Sequence, residues 1–129
     1  MPIKVLIVDD EREVVEFLQR GLIKEGFHAV CAFDGLEAKE KIKSEKPDVI
    51  ILDLAMPVLD GWEVLKWLRQ EEKLFTPTII LSAKDALSDM KQGYQSQADT
   101  YLVKPVSISD IVSGINLVCS LGMGDEKNN

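Results

Sequence analysis

The stretch Val49-Ile50-Ile51-Leu52-Asp53-Leu54-Ala55-Met56-Pro57 decides how this chain is read. A short apolar run rich in Val and Ile reads as a strand buried on both faces, as in the centre of a parallel sheet. An aspartate at the C-terminal end of such a strand stands where open α/β sheets carry their sites. Pro57 cannot continue a hydrogen-bonded ladder, so the chain leaves the sheet there. Taken alone, Asp53 fits a turn or a helix cap best. Whether it is a nucleophile, a metal ligand or only a terminator depends on the ends of the other strands.

The length of 129 residues suggests one domain, and 46% hydrophobic residues suffice for a core without staples. A net charge of -7 gives no footprint for nucleic acid. It suits small cations or protein partners. No run of about 18 apolar residues occurs, so no membrane span is expected. The start, Met1-Pro2-Ile3-Lys4-Val5, enters a strand directly and lacks the pattern of a signal peptide. Cys31 and Cys119 sit in apolar patterns without a CxxC, and are read as buried small hydrophobes. His28 is the one histidine, in an expected loop, which leaves no zinc site.

The remaining elements follow from periodicity. Residues 4–8 read as the first strand, followed by Asp9-Asp10-Glu11. Val14, Phe17, Leu18 and Leu22 recur at helical spacing, with Val15 and Ile23 beside them, Gly21 as a tolerated interior glycine and Gly26 as a stop. Residues 29–33 read as the second strand, Asp34-Gly35 as a turn, and Ala38 and Ile42 mark a second helix. Asp60 is suited to cap a third helix carrying Trp62, Val64, Leu65 and Leu68. A fourth strand is expected over 77–82, a polar fourth helix over 85–92 and a fifth strand over 100–103. Ile108, Ile111, Ile115 and Val118 stripe a last helix. The expected domain is 1–121, with 122–129 as a frayed tail. Five strands alternating with five helices predict an α/β fold with a doubly wound parallel sheet.

A parallel sheet gathers all strand C-termini on one edge. That edge would carry Asp9, Asp10, Asp53, Ser82 and Lys104. Each has a plain structural alternative. Asp9 or Asp10 could cap the first helix, Ser82 could serve a turn, and Lys104 could be a solvated charge. Together they call for another explanation. Crowded carboxylates raise each other's pKa unless a cation joins them. Without His or Cys nearby, an oxygen-loving ion such as Mg²⁺ is favoured over zinc. A hydroxyl and an ammonium on the same edge are what a phosphoryl group needs.

The chain resembles the response regulator receiver domains of two-component signal transduction. The likeness runs from about Ile3 to Leu121. It rests on Val8-Asp9-Asp10-Glu11, Leu52-Asp53-Leu54-Ala55-Met56-Pro57 with Asp60-Gly61, Ser82-Ala83, and Ala98-Asp99-Thr100-Tyr101-Leu102-Val103-Lys104-Pro105. The resemblance implies a flavodoxin-like sheet of order 2-1-3-4-5. It implies that Asp53 accepts a phosphoryl group from a histidine kinase or histidine phosphotransfer protein. Asp10, Asp53 and the Ala55 carbonyl would bind Mg²⁺, with Asp9 acting through water. Lys104 would pair with the phosphoryl oxygens and Ser82 would hydrogen-bond one of them. Tyr101 would be an aromatic switch, and Lys104-Pro105 a cis peptide.

The implied protein is a bacterial, cytoplasmic phosphoprotein. It would not be a conventional enzyme, yet it would catalyse its own phosphoryl transfer and slow autodephosphorylation. Phosphorylation would shift the face made by the fourth helix, fifth strand and fifth helix toward a partner or output domain. Gln97 departs from a common glycine, and Ala55 and Lys84 flank the site where they would tune the phosphoryl lifetime. The domain is expected either to stand alone or to be part of a longer protein. A homodimer is left open.

Other chemistries fit less well. A haloacid-dehalogenase-type phosphatase needs a second Asp where Ala55 stands. A flavodoxin-like FMN site needs a neutral phosphate loop where Asp9-Asp10-Glu11 stand, and no G-x-G-x-x-G follows a strand. The competing reading is a receiver-fold interaction module that is never phosphorylated.

Overall fold

The computed structural model describes residues 2–57, 59–83 and 98–128, with side chains to residue 120. Five parallel strands form one sheet of order β2-β1-β3-β4-β5. They are β1 (Lys4–Val8), β2 (His28–Ala32), β3 (Val49–Asp53), β4 (Thr78–Ser82) and β5 (Thr100–Val103). Among the described residues the helices are α1 (Arg12–Lys24), α2 (Gly35–Glu45), α3 (Gly61–Lys66) and a C-terminal helix (Ile108–Asn128). The expected fourth helix, 85–92, lies outside the described residues, as does Gln97.

All five residues of β3 and all five of β4 are buried, as central strands covered on both faces must be. Alternate side chains feed two cores. Leu6, Val8, Ile50, Leu52 and Ile80 face α2 and α3. Val5, Ile7, Val49, Ile51, Ile79 and Leu81 face α1 and the C-terminal helix. The register pairs Val8 with Leu52, Asp53 with Leu81 and Ser82 with Val103, so the strands end nearly level.

Several local expectations shift. His28 is the first residue of β2 rather than part of a loop, because its N–H donates to Ile3 O (3.0 Å) and joins the ladder. Asp34 caps α2 by accepting from Glu37 N (2.7 Å), so Gly35 begins a helix rather than completing a turn. The buried stripe of α1 is Val15, Leu18 and Leu22, whereas Phe17 is 53% exposed. Phe17 instead lines an apolar groove with Val14, Pro105 and Val106. Cys31 and Cys119 are free thiols and only partly buried against the core. The C-terminal helix continues through 122–128, where a frayed tail is expected from the sequence. A formed helix gains one bond per added residue, and glycine costs only about 1 kcal/mol against that gain.

Gly21 has a specific reason. A Cβ there would strike the Ile108 side chain, so the glycine lets α1 and the C-terminal helix approach. Beyond α3, Trp67–Glu71 form a π-helical turn, a rare geometry. Arg69 in that turn donates to Leu74 O (3.0 Å) and Thr76 O (2.9 Å), and pairs with Asp99 Oδ2 (3.2 Å). Asp99 Oδ2 also accepts from Thr78 N (2.8 Å), fixing the start of β4. The Ala98-Asp99 motif is thus a clamp on the edge opposite the acids. Asp99→Ala is expected to lower unfolding free energy by about 1–2 kcal/mol in urea titrations, by loss of one backbone and one charged partner. An unchanged urea midpoint would refute the clamp.

Candidate functional site

Level strand ends and short loops bring the acids together. Asp53 closes β3 and is almost fully buried, and Asp9 directly after β1 is completely buried. Asp10 is exposed at the mouth. One carboxylate oxygen from each of Asp9, Asp10 and Asp53 lies within 4.8 Å of the others. Lys104, directly after β5, is drawn over them. Its Nζ lies 2.8 Å from Asp9 Oδ2, 3.4 Å from Glu11 Oε1 and 3.5 Å from Asp53 Oδ1.

The backbone holds this arrangement tightly. Lys104 N donates to Ser82 O (2.8 Å), which ties the lysine to the end of β4. The Lys104-Pro105 peptide is cis. Asp9 Oδ1 accepts from Glu11 N (3.0 Å), so Asp9 orders its own loop instead of capping α1. Gly61 N donates to Leu54 O (3.0 Å), and a Cβ on Gly61 would collide with the Asp53 carbonyl oxygen. Helix α3 therefore starts in backbone contact with the end of β3, which only glycine permits. Asp60 caps that helix by accepting from Glu63 N (2.9 Å), as expected.

Electrostatics mark Asp53. Burial first, then the charge of Asp9, pushes its carboxyl from 3.8 up to about 6. Lys104 and the Ala55 N–H, which donates to Asp53 Oδ1 at 3.4 Å, pull the other way. Burial works against the Lys104 ammonium. Its close ion pair with Asp9 and the charges of Asp53 and Glu11 outweigh burial and hold its pKa above the ordinary value.

Asp9 Oδ2 has no hydrogen bond, although Lys104 Nζ lies 2.8 Å away, because that approach is too oblique. A buried carboxylate oxygen without a directional donor, among oxygen ligands only, fits a hard divalent cation.

Of the other expected residues, Ser82 is buried and its hydroxyl donates to Ala83 O (3.2 Å). Ala55 is exposed beside Asp53. Tyr101 is half-buried against the α2/α3 core, and burial raises its phenol pKa. Lys84 lies outside the described residues. Glu11 is the addition. Its carboxylate joins the site, and the only local hint in sequence is a Glu where a helix cap prefers a shorter side chain.

The family model for the response regulator receiver domain matches residues 5–116. The chain belongs to this family. The PhoP alkaline phosphatase synthesis transcriptional regulatory protein of Bacillus subtilis is 42% identical over 89% of this chain. Response regulator MprA of Mycolicibacterium vanbaalenii is 40% identical over 88%. This receiver domain spans about half of either relative, 48% in both. The Francisella response regulator 1452 receiver domain superposes with TM-score 0.84 at 38% identity, covering 93% of this chain and 98% of that one. The match gives a receiver domain of two-component response regulators, a class that works with histidine kinases or phosphotransfer proteins. No helix among the described residues is long and apolar enough to cross a membrane.

The raised Asp53 value has a sign. Between 3.8 and about 6 the folded receiver keeps a proton that the unfolded chain has lost. In metal-free buffer, stability relative to Asp53→Asn is therefore expected to fall across that window and level off above it. Urea midpoints of the two proteins measured from pH 4 to pH 8 check this (roughly the window on either side of the shift). A difference that grows with pH in favour of the wild type would refute it.

Proposed function

We propose that this receiver is a phosphorylation-dependent signalling switch whose acceptor is Asp53. The observation that carries the reading is the buried Asp53 carboxylate, 3.5 Å from Lys104 Nζ inside a three-acid cluster. Asp10, Asp53 and the Ala55 carbonyl would hold Mg²⁺, with Asp9 reaching it through water. When bound, the ion supplies positive charge that lets the acids crowd and that offsets phosphoryl oxygens.

The chain's own residues do the rest. An Asp53 carboxylate oxygen attacks phosphorus in line. As that O–P bond forms, the P–N bond of a phosphohistidine donor breaks and the imidazole leaves. The Lys104 ammonium bears on the equatorial oxygens, where charge is spread in the transition state. The product adds about 1.5–2 negative charges, by analogy with other phosphorylated side chains. Ser82 turns its hydroxyl from Ala83 O toward a phosphoryl oxygen, and the resulting shift at the end of β4 passes to Tyr101 on the neighbouring β5. Water attacking the same phosphorus resets the switch. The donor is a histidine kinase or phosphotransfer protein of the bacterial cytoplasm, and the output is a partner or a further domain.

Incubation with Mg²⁺ and a small phosphodonor is expected to add one phosphoryl group by intact mass, and none to Asp53→Ala. Lys104→Ala should slow uptake about 100-fold, the usual cost of one charge-stabilising donor. A wild-type protein that gains no mass ends this reading in favour of a non-phosphorylated interaction module. Ala55→Asn and Lys84→Ala are each expected to change the dephosphorylation rate, because the two residues stand two positions past Asp53 and Ser82 in the sequence. Unaltered first-order decay of the phosphorylated protein in both variants would remove them as tuning residues.

A further inference from the structure

Lys104 has one ammonium and three acidic partners. The shortest contact goes to Asp9 (2.8 Å), the longest to Asp53 (3.5 Å), and Glu11 Oε1 at 3.4 Å accepts a hydrogen bond from Nζ. Glu11 sits at the N-cap of α1 yet makes no side-chain cap. Serine, threonine, aspartate or asparagine would cap there and leave Lys104 alone. The longer glutamate instead reaches a residue 93 positions away. Its backbone is held by Asp9 Oδ1 (3.0 Å), so Asp9, Glu11 and Lys104 close a ring on the β1 side of the site.

We propose that Glu11 is a positioning residue: it draws the Lys104 ammonium toward Asp9 and away from Asp53, and so restrains phosphoryl uptake at Asp53. The proposal rests on Asp53 being the acceptor. A phosphoryl group on Asp53 must recruit Lys104 against the pull of Glu11, and the donor must approach while that pull persists. Glu11 is largely exposed, so the restraint is modest and can be broken by the greater charge of a phosphoryl group.

Three variants separate position from mere charge. Glu11→Gln keeps the length but removes the charge, leaving only a neutral amide acceptor for Nζ. Glu11→Asp keeps the charge but is too short to hold Nζ. Glu13→Gln removes an equal charge from the same turn without touching Lys104. With Mg²⁺ and a small phosphodonor, both Glu11 variants are expected to take up phosphoryl about two- to fivefold faster, the range of one exposed ion pair. Glu13→Gln should match the wild type. In metal-free protein, the side-chain NMR signals of Lys104 should move in both Glu11 variants and stay in Glu13→Gln.

Lys104 signals that do not move in the Glu11 variants overturn the proposal, whatever the rates. So does a Glu11→Asp that matches the wild-type rate while Glu11→Gln and Glu13→Gln accelerate together, which is the signature of a general field. A wild type that takes up no phosphoryl rejects the acceptor reading instead, and the metal-free spectra still report the Glu11–Lys104 contact.

Discussion

A buried carboxylate at the end of a central strand is the constraint on which this structure turns. Asp53 is charged, shielded from water and beside the fully buried Asp9. Two such groups cannot share a low-dielectric site without a cation close by. Lys104 supplies one from the other side of the sheet edge, with its backbone tied to β4 and its ammonium among the acids. The cluster is poorly satisfied even so, since Asp9 Oδ2 lacks a directional donor. A site left short of positive charge in this way fits a hard cation.

The fold serves this edge by separating packing from chemistry. Two cores, one on each face, lock the strands by alternate side chains, so the C-terminal ends are level without help from the site residues. The opposite edge carries its own clamp in Arg69, Asp99 and Thr78. Local polar strain on one edge is thereby held by apolar burial in the middle and by a satisfied ion pair at the far end. Glycine appears where a Cβ would strike a close neighbour. Gly61 sets α3 against Asp53, and Gly21 sets α1 against the C-terminal helix.

Much of this was legible in the chain as written. Apolar runs such as Val49-Ile50-Ile51-Leu52 and Thr78-Ile79-Ile80-Leu81 can only be buried strands, and their alternation with amphipathic segments implies a parallel sheet. A parallel sheet aligns its strand ends, so Asp9, Asp10, Asp53, Ser82 and Lys104 share an edge before any coordinate is known. The motif likeness then supplied strand order, which periodicity cannot. What was misread had local causes. Phe17 follows the helical period yet lies beyond the α1 stripe, because which turn faces the sheet depends on the packing angle. Residues 122–129, with their glycines and charged side chains, read as a frayed tail, whereas the C-terminal helix continues to Asn128.

By itself the sequence determined the class of fold, the edge that carries the site and the residue types gathered there, since periodicity and strand polarity are local properties of the chain. Only the tertiary structure decided which acid holds Lys104 most closely, that Glu11 joins that contest, and that Gly61 and Asp99 make backbone contacts. Those outcomes depend on distances of a few tenths of an ångström between groups tens of residues apart. No pattern along the chain records such distances, because they are set by the packing of both faces at once.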